Sequence, residues 1–141
     1  MPTKSIKLHW DAKSIANGDV LAVLFGDRKE TMAAAKTLVR RMKSNANLAM
    51  TKREMRFFAK DLEVGKLGPK YSYHNFYTKL LRKLLDMGFI EKDVLIWDDR
   101  SKKTKAVYQL KLQSIPERGP TSGFVKQAWQ LANGWNEMIK A

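Results

Sequence analysis

The stretch SYHNFYTKLLRKLLDMGFI, residues 72–90, decides how this chain is read. Ser72 can cap a helix beginning at Tyr73, and Gly88 stands where helices commonly end in a left-handed conformation. The spacing therefore predicts a helix from Tyr73 to Met87. At about 100° per residue, Phe76, Tyr77, Leu80, Leu81 and Leu84 form one broad apolar face. Asn75, Thr78 and Arg82 fall near the centre of the opposite face, flanked by His74, Lys79 and Asp86. Such a helix buries its leucines and turns its polar side outward.

Upstream, Thr51-Lys52-Arg53-Glu54 reads as a capping box, in which the threonine oxygen takes the amide proton of the glutamate and the glutamate reaches back to the threonine amide. It predicts a helix from Lys52 to about Leu62 with Met55, Phe58, Ala59 and Leu62 as its apolar stripe. Gly65, Gly68 and Pro69 make Glu63 to Tyr71 a loop. Before the box, Leu48-Ala49-Met50 is a short strand candidate. An earlier helix is expected from about Arg28 to Ser44, with Asp27 as N-cap and Met32, Ala35, Leu38, Val39 and Met42 facing inward. Downstream, Val94 to Trp97 and Ala106 to Leu112 read as strands, joined across the polar segment Asp98 to Lys105 as a hairpin.

The flanks are read more coarsely. Ile6, Leu8 and Trp10 alternate with polar residues as in a short strand, and Asn17-Gly18-Asp19 is a turn. Val20 to Phe25 fits a buried strand or a helix segment. Ser114 to Gly123, with Pro116, Gly119 and Pro120, is a linker. It leads to a helix from Phe124 to Ile139 with Phe124, Ala128, Leu131, Trp135 and Met138 at spacings of three and four. The expected division is a strand-like extension over 1–27, a central domain over 28–113, and a linker with C-terminal helix over 114–141.

From Arg28 onward the order is helix, short strand, capped helix, loop, helix, hairpin. With the capped Thr51–Glu54 start and the ending Leu84, Asp86-Met87-Gly88-Phe89-Ile90, the chain resembles the winged helix-turn-helix superfamily over about residues 28 to 112. The resemblance implies a mainly α fold with a small β part, in which residues 73–87 are the recognition helix and residues 98–105 the wing. The loop at Glu63 to Tyr71 departs from it, being longer than the usual three- or four-residue turn.

Charge points the same way. Lys and Arg number 27 against 14 acids, a net charge of +13 that a polyanion would relieve while releasing its counterions. A hydrophobic content of 44% is enough for a core, which argues against a disordered basic tail. The chain has no cysteine, which excludes disulfides and thiol chemistry, and His9 and His74 have no metal-binding spacing. No nucleophile triad, phosphate loop or HExxH motif is found, so neither an enzyme nor a cofactor is expected. No apolar run approaches the roughly 20 residues of a bilayer span, and no secretory h-region is seen, so the expected location is cytoplasmic, on the nucleoid in a prokaryote.

The expected partner is double-stranded DNA, read sequence-specifically by a transcriptional regulator. Asn pairs bidentately with adenine, Arg with guanine, and the N-terminal residues of a recognition helix reach base edges, so Asn75, Thr78, Lys79 and Arg82 are the groove candidates, with His74 beside them. Arg100, Lys102, Lys103 and Lys105 are candidates for phosphate or minor-groove contact from the wing. Lys52, Arg53 and Arg56 stand at the capped helix start, itself an anion-favouring end. A homodimer is expected through the N-terminal strand, the first helix, or the last helix with Trp129 and Trp135. The competing readings are an RNA-binding or architectural module and a plasmid- or virus-type replication or partition protein.

Overall fold

The capping box is present: Thr51 Oγ1 accepts from the Glu54 amide at 3.0 Å, and Glu54 Oε1 accepts from the Thr51 amide at 3.1 Å. Two orphan amides are satisfied at once, a device worth about 1 kcal/mol per cap. The computed structural model describes residue 8 and residues 19–26 and 28–141. Its helices are α1 (Val20–Phe25), α2 (Lys29–Lys43), α3 (Lys52–Glu63), α4 (residues 73–86) and α5 (Gly123–Lys140). The strands are β1 (Ala49–Thr51), β2 (Ile90–Asp98) and β3 (Lys103–Leu110), antiparallel in the order β1-β3-β2. The fold is thus mixed helix with a small three-stranded sheet.

The expected stripe of α3, Met55, Phe58, Ala59 and Leu62, is buried. α4 differs from a plain α-helix. Its middle, Phe76–Leu81, is a π turn between the α-helical pieces Tyr73–Asn75 and Arg82–Asp86. Bonding from i to i+5 brings Phe76 and Leu81 into line, so that Leu80 and Leu81, adjacent in sequence, are both fully buried. The helix ends in a Schellman motif. Gly88 N–H donates to Leu85 O and Phe89 N–H to Leu84 O, both at 3.0 Å, with Gly88 at φ 77. Ile90 then enters β2 directly.

The long loop before α4 is braced. Tyr71 N–H donates to Leu62 O at 3.0 Å, its phenol oxygen accepts from Thr31 Oγ1 at 3.3 Å, and the Tyr73 amide donates to the Glu63 carboxylate at 2.8 Å. Phe58 and Phe76, 5.7 Å apart, pack α3 on α4. The extra length therefore forms an ordered connection between two packed helices.

Described residues of both flanks enter the same core. Val20–Phe25 is a helix, capped by Asp19, whose carboxylate accepts from the Ala22 amide at 3.2 Å. A continuous apolar run suits it because five of its six residues are buried. Lys83 Nζ donates to Leu24 O and sits 5.4 Å from the Phe25 ring centroid, tying α4 to α1. In α5 the buried stripe is Leu131, Trp135 and Ile139, whereas Phe124 and Ala128 lie on an exposed first half. Lys43 closes α5 by donating to Met138 O and Ala141 O at 2.8 and 2.7 Å. Leu8 packs against the core, but the rest of the Ile6–Trp10 strand reading, the Asn17-Gly18 turn and the Asp27 cap lie outside the described residues; Arg28 occupies the cap position of α2.

The hairpin is longer than its apolar alternation suggested. β2 starts at Ile90, and a bulge between Glu91 and Val94 sets two residues, Lys92 and Asp93, opposite Tyr108. β3 starts at Lys103, so only residues 99–102 form the turn, and Leu112 lies past the strand and is exposed. Charged residues on both strands near the tip concealed that pairing. Among the described residues no helix is long and apolar enough to cross a membrane.

Candidate nucleic-acid interface

The polar side of α4 faces solvent. His74, Thr78, Lys79 and Arg82 are exposed, and Asn75 is half-buried. Thr78 Oγ1 donates to His74 O at 2.8 Å, so its hydrogen is committed to the backbone and its methyl remains available. Arg82 Nε stands 3.7 Å from Asp86, a loose pair across one turn that leaves the guanidinium fork open. The exception is Lys83, which faces α1 rather than this side.

The start of α3 meets the hairpin at its base. Lys52 Nζ lies 2.9 Å from Asp93 Oδ1, where Asp93 holds the bulge at φ 59. The Lys52 hydrogen bond holds the Asp93 carboxyl below the usual aspartate range, and the same bond raises Lys52. The pair is intact at neutral pH; its contribution is fully present above the ordinary aspartate value and lost as pH falls through the depressed one. Arg53 stands over the exposed ring of Phe57, 5.5 Å from its centroid. Arg56 lies close enough to Tyr77 to oppose the rise in that phenol, which burial first and then Tyr73 push up to about 12. Tyr77 in turn neighbours Tyr108, which feels Lys52 and Asp93. The starts of α3 and α4 and the bulge of the hairpin therefore come together around two tyrosines.

At the hairpin tip, Asp98 organises the turn. Its carboxylate accepts from the Arg100 amide at 3.2 Å and Ser101 Oγ at 3.0 Å, which holds it below the usual range, and Lys105 stands 3.8 Å away. Its charge is thus engaged in the turn. Arg100, Lys102, Lys103 and Lys105 are all exposed.

No family model, curated protein or solved structure matches the chain. Three clusters expected from sequence, on α4, at the start of α3 and on the hairpin, are solvent-facing except for the half-buried Asn75, and the second adjoins the hairpin's base through Lys52 and Asp93. Asp93 was missed because a bulge leaves no alternation to read. Trp97 and Leu95 were missed as surface residues because an apolar strand signal does not say which face is covered. Trp129 and Trp135, the expected dimer residues of the last helix, are used within the chain. Trp129 donates to Pro116 O at 2.8 Å, and Trp135 is wholly buried.

Proposed function

We propose that this protein is a winged helix-turn-helix DNA-binding regulator, without catalytic activity, that reads a duplex site through α4 in the major groove and lays its hairpin along the backbone or minor groove. The reading rests on one observation: the exposed polar side of a leucine-backed helix stands in the same small domain as a cationic hairpin. The order α2, β1, α3, α4, β2, β3, with the first strand paired to the last, supports it. In that arrangement Arg82 and Asn75 supply base contacts, Lys79 and His74 adjoin them, and Lys52, Arg53 and Arg56 meet phosphates at the capped end of α3. DNA contact places its work inside the cell, in the cytoplasm.

Selection of bound duplexes from a random pool tests this. A defined preferred site is expected, with much weaker binding to random duplex at the same salt. Asn75→Ala and Arg82→Ala should each relax preference at particular base pairs by about 1–3 kcal/mol while non-specific affinity is mostly retained. Equal binding to all duplexes overturns the regulator in favour of an architectural or RNA-binding role, which competition with structured RNA then identifies. A uniform loss in both variants reassigns the two residues to phosphate contact.

Asp93 competes with phosphate for Lys52. Asn tolerates the left-handed backbone at this position, so Asp93→Asn should keep the bulge and release the ammonium. Duplex affinity is expected to rise severalfold and the slope of log K against log salt to steepen by about 0.9, one added phosphate contact. Titration of labelled duplex at several salt concentrations measures both, and an unchanged slope removes Lys52 from the interface.

A further inference from the structure

The hairpin's cations do not account for its exposed apolar residues. Leu95 pairs with Ala106 and Trp97 with Thr104, so these four side chains share one face of the ribbon. Through the bulge this is the face that carries Ile90, Tyr108 and Leu110 into the core. Beyond the bulge it lies open: Leu95 is 70% exposed and Trp97 57%. Trp97 Nε1 donates to Asp99 Oδ1 at 2.7 Å, which holds the indole in one orientation. Arg100 and Lys102 lie in the turn next to the pair, Lys103 and Lys105 alternate onto the ribbon's other face, and the carboxylates of Asp98 and Asp99 are engaged by the turn and by the indole.

A large aromatic and a leucine beside a cationic turn fit a ligand with flat apolar surfaces edged by anionic groups. Stacked base pairs between two phosphate backbones have that form. A second copy docked here would set two cationic tips against each other, and two side chains are too few for the series of platforms on which single strands stack. We propose that Trp97, backed by Leu95, is a wedge that enters one base step of the bound duplex, unstacking and bending it. The proposal rests on the duplex-binding reading above and adds that the DNA is deformed, most readily at a flexible pyrimidine–purine step.

The test compares wild type with Trp97→Phe and Trp97→Ala on the selected duplex. Binding is followed by the anisotropy of a labelled duplex, bending by energy transfer between its ends, and stacking by tryptophan emission. Since Trp97 is outside the core, melting temperatures should match wild type. Expected are quenching of wild-type emission on saturation, absent in Trp97→Phe; a bend retained in part by phenylalanine and lost in alanine; and a loss of affinity of about tenfold or more in alanine. If the duplex binds but is not bent, or is bent equally by Trp97→Ala, the wedge is overturned and the duplex-binding reading stands. Quenching on single strands alone, or concentration-dependent self-association that Trp97→Ala abolishes, overturns it in favour of those occupants. If no duplex binds at all, both readings fall.

Discussion

Trp135→Ala is expected to lower the melting temperature by about 12–20 °C. Trp135 is fully buried, stacks on Phe89 with centroids 4.5 Å apart and planes 11° from parallel, and donates from Nε1 to Lys111 O at 2.7 Å. Removing a buried aromatic costs about 3–5 kcal/mol, and in a domain of this size each kcal/mol is worth about 4 °C. The Lys111 carbonyl keeps a second donor, Gln113 Nε2 at 3.1 Å, so the loss is mainly one of packing. Trp135→Phe keeps a ring against Phe89 and should lose less than half as much. Thermal unfolding followed by far-ultraviolet circular dichroism measures both. A change within about 2 °C for the alanine variant would mean that α5 is not docked on the core, and with it the union of C-terminal helix and central domain would fail.

That union was not legible in the sequence, and the reason is physical. Proline- and glycine-rich segments such as Ser114 to Gly123 mark where a chain leaves an element, but they do not say where it returns. Here the return is set by pairs far apart in sequence: Asn136 exchanges two hydrogen bonds with the Gln113 backbone, 2.7 and 2.9 Å, and Lys43 caps the end of α5. Local signals fared better. The Thr51–Glu54 box and the Gly88 ending each describe a backbone problem solved within a few residues, and both are present as read. The apolar stripe of α3 was also legible, because a regular helix converts spacing into a face. The bulge in β2 breaks that conversion by inserting a residue, and Asp93 was hidden for that reason; the π turn in α4 was equally unread, although Leu80 and Leu81 are both buried on the face the spacing predicts. Exposure of His74, Thr78, Lys79 and Arg82 on α4 followed from the leucines behind them, while Asn75 is half-buried. What remained out of reach was which strand residues lie uncovered, since an apolar alternation reads the same whether or not a helix sits above it.

Replacing Arg100, Lys102 and Lys103 together is expected to weaken duplex binding about a hundredfold near physiological salt and to flatten the salt slope by about 2.7. Each phosphate contact contributes about 0.9 to that slope through counterion release, and these three cations have no ion pair among the described residues. Lys105 is left in place because Asp98 already shares it at 3.8 Å. The choice of replacements matters. Lys102 takes φ 54, where alanine would be strained, so asparagine is used there and alanine at Arg100 and Lys103. The turn should persist, because what holds it are the bonds of Asp98 to the Arg100 amide and to Ser101 Oγ, neither of which involves a replaced side chain. An unchanged melting temperature would verify that. The pattern of loss then separates the ways a cationic hairpin can act. A fall in affinity and slope with the preferred sequence unchanged assigns the tip to the backbone. Loss of preference at adjacent A·T pairs assigns it to the minor groove, where narrow A·T tracts attract cationic side chains. Affinity and slope both equal to wild type would leave the tip a solvated loop, and α4 would have to hold the duplex with the start of α3 alone.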